Sequence, residues 1–258
     1  MGLERDKIGA KMKRFMIAIC TLVPFVCSLS ISGQSPMSAS PMRSSTPHLQ
    51  FPHVTGLTDS STQQAVNSIL ADREREDIDV LNGCRRGKVG RRGSDGDSET
   101  VHVTYLSRSF LSLDVRLTVW QCAPYPQLAI PHPLTINLRT GEATDWEKFF
   151  LPGFLPVRDF SVDAKPRIDT ASRLTALYLS RYKQDDAQCV EAVKQDHLYG
   201  FDLWLDSARS ALVAIPNFPH VIRACADEVA IPLTEVLPYV ADPKVADELA
   251  RYREDGRE

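Results

Sequence analysis

Phe110-Leu111-Ser112-Leu113-Asp114-Val115-Arg116-Leu117-Thr118-Val119 is the stretch on which the fold turns. Leu111, Leu113, Val115, Leu117 and Val119 alternate with Ser112, Asp114, Arg116 and Thr118. A strand places residues two apart on one face, so this period gathers the apolar side chains on one side and the polar ones on the other. The pattern predicts a half-buried antiparallel strand. Val101, Val103 and Tyr105 alternate the same way upstream, and Leu134, Ile136 and Leu138 downstream. Arg139-Thr140-Gly141-Glu142 then supplies a glycine-containing turn. A meander of twisted strands follows.

Helices flank this meander. Thr58-Asp59-Ser60-Ser61 offers N-caps to a helix with Ala65, Val66, Ile69 and Leu70 on its apolar face, and Asp72 to Asp79 reads as its solvated face. Residues 83–99, with five glycines and Arg85, Arg86, Lys88, Arg91 and Arg92, predict a mobile loop. Asp145 is expected to cap a short helical turn through Trp146, Phe149 and Phe150, stopped by Pro152-Gly153. Asp169 or Thr170 is expected to start a helix with Ala171, Leu174, Leu177 and Tyr178 on one face. Tyr199, Phe201, Leu203 and Leu205 form a second alternating ribbon, turning at Asp206–Ser210 into Ala211–Ile215. His220–Cys225 and Glu228–Ile231 read as further short strands, and Pro232 opens a helix over Leu233–Val240. Sheet, helix and sheet again make an α+β fold, a twisted antiparallel sheet packed against a few helices.

The beginning of the chain reads as an export signal. Arg5, Lys7, Lys11, Lys13 and Arg14 precede an apolar run from Phe15 to Ile31, and Ser30-Ile31-Ser32 places small residues before Gly33. The run contains Pro24 and falls short of the roughly 20 apolar residues of a comfortable span, which favours cleavage over anchoring. Residues 1–32 are thus assigned to a signal peptide, 33–50 to a Ser/Pro-rich tether, 51–241 to the domain and 242–258 to a charged tail that frays. Only 14 residues precede Phe15, so no cytoplasmic effector segment is expected.

Composition limits the function. At 43% hydrophobic and 24% charged residues, the 258-residue chain is neither a polytopic membrane protein nor wholly disordered. Its net charge of −3 hides a basic leader, and the body beyond it is mildly acidic. That argues against nucleic-acid binding, which needs a basic footprint. Beyond the leader stand Cys84, Cys122, Cys189 and Cys225, an even number in an exported chain, which predicts two disulfides. Three connectivities are open. Cys84–Cys122 with Cys189–Cys225 is favoured because each pair stays within one half of the domain, and each loop closure is worth roughly 3–4 kcal/mol. No CxxC or Cys/His cluster has zinc-ligand spacing, so neither metal nor cofactor is expected.

No catalytic motif is present, neither Gly-x-Ser-x-Gly nor His-Glu-x-x-His. One segment stands out as a recognition loop. Trp120-Gln121-Cys122-Ala123-Pro124-Tyr125-Pro126-Gln127 joins two strands through two prolines and two aromatics. Prolines reduce the entropy lost on binding, and Trp120, Tyr125 and Pro126 supply contact area. His132, in the rigid Ile130-Pro131-His132-Pro133, is a fourth candidate. A disulfide-pinned connection fits the same residues equally well, and Trp120, in an apolar pattern, fits a core position as well. Trp146 and Trp204 sit in apolar patterns and are expected in the core.

Phe51-Pro52-x-Val54-x-Gly56-Leu57, Val103-Thr104-Tyr105-Leu106-Ser107 and Phe110-Leu111-Ser112-Leu113 together resemble the extracytoplasmic domain of RsiV-like proteins. Leu134-Thr135-Ile136-Asn137-Leu138-Arg139-Thr140-Gly141-Glu142, followed by Asp145-Trp146 and Phe149-Phe150, extends the resemblance, which covers roughly Phe51 to Val240. Where that family often carries Gly-Gly-Ala-His/Tyr-Pro, this chain has Cys122-Ala123-Pro124-Tyr125-Pro126. The resemblance implies a lysozyme-binding domain of an anti-sigma factor. The function expected is therefore an exported, non-enzymatic binding module of the bacterial cell envelope, periplasmic or secreted, with lysozyme or a cell-wall component as partner. It would meet a membrane only through an uncleaved leader. The alternative is an envelope hydrolase acting on peptidoglycan or another glycan, with catalytic groups that converge only in the fold.

Overall fold

The computed structural model describes residues 37–41, 50–86, 98–119, 127–156, 158–159, 167–168, 172–183, 186–194, 200–218 and 220–255. The chain divides into a unit of residues 1–34 and a unit of residues 35–258, and every described residue belongs to the second. The expected signal peptide lies outside the described residues.

The first strand falls where a tether is expected. β1 (Ser38–Pro41) pairs antiparallel with β2 (Pro52–Thr55), Ser38 opposite Thr55, and Met37 and Ala39 pack onto the first core. α1 (Ser60–Arg86) begins at Asp59, whose carboxylate accepts the Ser61 and Thr62 N–H groups at 3.2 and 3.0 Å. The Thr62 and Ser61 hydroxyls donate to the same carboxylate and hold its pKa far below the usual range. α1 runs through Cys84-Arg85-Arg86 and β3 begins at Ser98, so both ends of the expected 83–99 loop belong to regular elements; residues 87–97 lie outside the described residues. Asp77 is buried and paired with Arg73 at 2.9 Å, so the stretch from Asp72 to Asp79 is not wholly solvated.

Five strands form the first sheet. β3 (Ser98–Leu106), β4 (Phe110–Val119), β6 (Leu134–Asn137) and β7 (Glu142–Ala143) lie in that order, and β5 (Gln127–Pro131) pairs with the far end of β4. The predicted alternation holds: Leu111, Leu113, Val115 and Leu117 are buried in one cluster with Val66, Leu70 and Leu81 of α1. Gly141, in the turn before β7, has φ +75° and faces α1. A Cβ there would stand 2.9 Å from the Ala65 Cβ, so glycine is required on both counts.

Short elements build the second half. α2 (Trp146–Phe149) is capped by Asp145 as expected, and its end bridges to the C-terminal region through the isolated pair Phe150 and Val240. β8 (Arg158–Asp159) and β9 (Arg167–Ile168) form a two-stranded ribbon. α3 (Arg173–Leu179) is capped by Ser172, which accepts the Thr175 N–H; the expected caps Asp169 and Thr170 lie outside the described residues. After α4 (Ala187–Lys194), a second sheet of three antiparallel strands follows: β10 (Phe201–Asp206), β11 (Ala211–Pro216) and β12 (Val229–Pro232).

Three expectations change here. His220–Cys225 forms a 3₁₀ turn, not a strand, with the Cys225 carbonyl accepting from the Tyr182 hydroxyl at 2.8 Å. α5 (Leu233–Val236) stops early and passes into a 3₁₀ turn at Leu237–Tyr239, because Pro238 has no N–H to continue the ladder. The expected fraying tail is α6 (Pro243–Asp255), whose Leu249 is fully buried.

The second core is aromatic. Tyr105, Phe110, Phe150, Phe154, Tyr178, Phe201 and Phe218 are buried together, with Phe150 and Phe154 centroids 4.2 Å apart. Cys189 and Cys225 are disulfide-bonded, as expected, across 36 residues. The Cys84 side chain and Cys122 lie outside the described residues. Such a bridge points to an oxidising, extracytoplasmic environment. Among the described residues no helix is long and apolar enough to cross a membrane.

Candidate functional site

The polar face of β4 is not solvated: Ser112 is fully buried and Asp114 nearly so. The edge of β10 lies across it. Leu205 donates its N–H to Ser112 Oγ at 3.0 Å, and its carbonyl accepts from Thr104 Oγ1 at 2.7 Å. The register of β3 shifts between Val103 and Tyr105, leaving Thr104 as a bulge whose carbonyl accepts both the N–H and the hydroxyl of Ser207. That bulge also re-aims Tyr105 into the aromatic core while Val103 stays exposed, although both were expected on one face. Beside this seam runs a chain of alternating charge. Arg116 binds Asp114 and Glu228, and Arg209 binds Asp206 at 2.7 Å and approaches Glu228 at 3.7 Å.

α6 is fixed by one carboxylate. Glu248 accepts from the hydroxyls of Ser107 and Ser109 at 3.0 and 2.5 Å, and from Arg139 at 2.5 Å. The hairpin turn between β3 and β4 therefore anchors the middle of α6, while Asp242 caps its start. Its start, together with α2 and the β6–β7 turn, encloses a groove of about 440 Å³.

Phe110 and Phe149 line this groove with Val240 and Val245, and Glu142, Asp145, Asp242 and Lys148 supply its charge. The two aspartates cap helices. Asp145 accepts the Glu147 and Lys148 N–H groups, and Asp242 Oδ1 accepts the Lys244 N–H at 2.8 Å. The Lys148 ammonium lies 2.9 Å from Asp145, and their pairing lowers the pKa of Asp145 and raises that of Lys148. Thr144, also in the lining, has a buried hydroxyl oxygen with no hydrogen-bond partner among the described residues. An unmade bond of this kind costs about 1–3 kcal/mol.

The expected site residues fall elsewhere. Trp120, Tyr125 and Pro126 lie outside the described residues. His132, after β5, is exposed and not in the groove; its N–H donates to the Val115 carbonyl at 2.7 Å. Protein packed around part of its ring, and then Arg73 and Arg223, lower its pKa, with Asp77 opposing. Trp204 is fully buried and Trp146 partly buried in the core, as expected. Among the described residues no three His, Cys, Asp or Glu side chains are placed to hold a metal ion. Of the groove residues, Asp145 was legible as a helix cap, Phe149 in its helical turn, and Thr140 and Glu142 in the expected turn; Asp242 before Pro243 is an equal cap signal, in a tail expected to fray.

No family model and no curated protein matches the chain. A crystal structure of a member of the DUF3298 family from Bacteroides fragilis resembles it with a TM-score of 0.52, covering 84% of this chain and 99% of that one. The likeness is one of fold. At 11% identity it extends to no shared site or activity.

Proposed function

We propose that this chain is an exported binding module of the bacterial cell envelope whose partner is lysozyme or a cell-wall component. Three observations support the reading. The strand and turn motifs resemble the RsiV-like family, the fold resembles a DUF3298 member, and Cys189–Cys225 suits an oxidising compartment. The observation that carries it is the use made of the groove's carboxylates. A glycosidase needs a general acid whose pKa is raised toward neutrality. Asp145 moves the other way, and it and Asp242 are engaged as helix caps. An aromatic floor under a charged rim suits recognition better than proton transfer.

Calorimetric titration of the oxidised chain with a c-type lysozyme tests this, with muramidase activity followed in parallel. Saturable binding at micromolar affinity or tighter, about −8 kcal/mol, is expected. Loss of muramidase activity would make the chain an inhibitor. Absence of both heat and inhibition removes lysozyme as the partner.

A further inference from the structure

We infer that the groove between the β6–β7 turn, α2 and the start of α6 receives an arginine or lysine side chain presented by a basic protein. The inference rests on the binding-module reading and names the chemistry of the partner. A volume of about 440 Å³ suits one long side chain with its flanking backbone. The floor formed by Phe149 and Val245 matches an aliphatic stem, since such stems bury along apolar surface while the charged head stays at the polar rim.

Charge selects the occupant. Three carboxylates and one ammonium line the groove, and Lys148 is held by Asp145. The Glu142 carboxylate accepts no hydrogen bond from the described residues, although it acts on Lys148 through space. Asp242 uses Oδ1 for the Lys244 N–H, and its Oδ2 accepts nothing from the described residues. Two carboxylates thus remain in excess beside an apolar floor. An anionic or neutral glycan would leave both without a counter-charge, whereas a guanidinium or ammonium matches them.

The test compares the full oxidised chain with the double variant E142Q/D242N. Glutamine keeps the shape of Glu142, and asparagine caps a helix about as well as aspartate, so α6 keeps its start. Two probes are used: a c-type lysozyme, and a blocked Gly-Arg-Gly peptide with its citrulline counterpart as control. The variant is expected to bind lysozyme about tenfold more weakly and with a flatter salt dependence. The arginine peptide is expected to shift the Ala143 and Ala241 amide resonances saturably, and the citrulline peptide to leave them unmoved. Undiminished lysozyme binding by the variant, with no peptide effect at those amides, would overturn the groove while leaving the binding module standing. Binding of the arginine peptide without any of lysozyme would support the groove and remove lysozyme as partner. The wild-type peptide titration decides the matter even if the double variant fails to fold.

Discussion

The core under α1 is aliphatic, with Phe51 its one buried aromatic residue among the described positions, whereas the core reached by α6 buries seven phenylalanines and tyrosines and adjoins a disulfide. Their assembly differs as well. Residues from Phe51 to Leu138 supply the buried positions of the first, through one long helix and strands of clear period. The second draws from Tyr105 to Leu249 and includes helices of four and seven residues. A long amphipathic element buries enough area with Leu and Val. Short ones need side chains that bury 150–250 Å² each, and a covalent tie between them.

The disulfide is the strongest lever on this difference. Replacing Cys189 and Cys225 by alanine is expected to cost about 4 kcal/mol, the chain entropy of closing a 36-residue loop. Trp146 and Trp204 both belong to the second half, so in a Trp120→Phe background tryptophan fluorescence should report its unfolding ahead of far-UV dichroism in that variant. Coincident transitions would mean that the halves unfold as one unit and that the contrast is only compositional.

The seam comes next. Ser112→Ala removes the acceptor of the Leu205 N–H from a fully buried site, at an expected cost of about 1–3 kcal/mol. Amide exchange at Leu205 should accelerate by more than exchange in α1. Equal acceleration throughout would show that the Ser112 bond contributes only to global stability and does not join the sheets.

The smallest effect is a pH dependence centred on His132 of the first half. His132 has a folded pKa below its ordinary value, so the unfolded chain binds the proton more readily. Its contribution should therefore be fully present above the unfolded pKa, about 6.5, and decline as pH falls from there through the lower folded value. Urea unfolding from pH 8 to pH 5 should show this loss, and His132→Gln should flatten it. An unchanged slope in the variant would assign the dependence to other groups.

Much of the first half was legible in the sequence, because its signals are local. The alternation around Leu113 reported a strand, Asp59 lay among the expected caps of α1, and Arg139–Glu142 marked the turn that Gly141 makes possible. The second half was read less well. The 3₁₀ turn at His220–Cys225 depends on partners far along the chain and no period announces it, whereas α6 carries the signal Asp242-Pro243 with Val245 and Leu249 one turn apart, and only its packing is decided at a distance. The candidate groove was the least legible. Nothing local in the sequence joins Glu142, Lys148 and Asp242; the Phe150–Val240 bridge, the Ala241 N–H bond to the Phe149 carbonyl and the Glu248 latch to Ser107 and Ser109 together bring α6 beside the other two.

From sequence alone came the α+β class, the long first helix and the strand around Leu113, specified by side-chain period and capping chemistry, while the cysteine count allowed three connectivities, of which the favoured Cys189–Cys225 is the one the structure shows. The tertiary structure alone decided that the serine and aspartate face of β4 is buried. A polar face becomes interior only when another element brings donors and acceptors to meet it, and here the edge of β10 does so through Leu205 and Ser207. It also decided that capping aspartates from two distant helices share one groove, since convergence depends on where elements pack and not on what each contains.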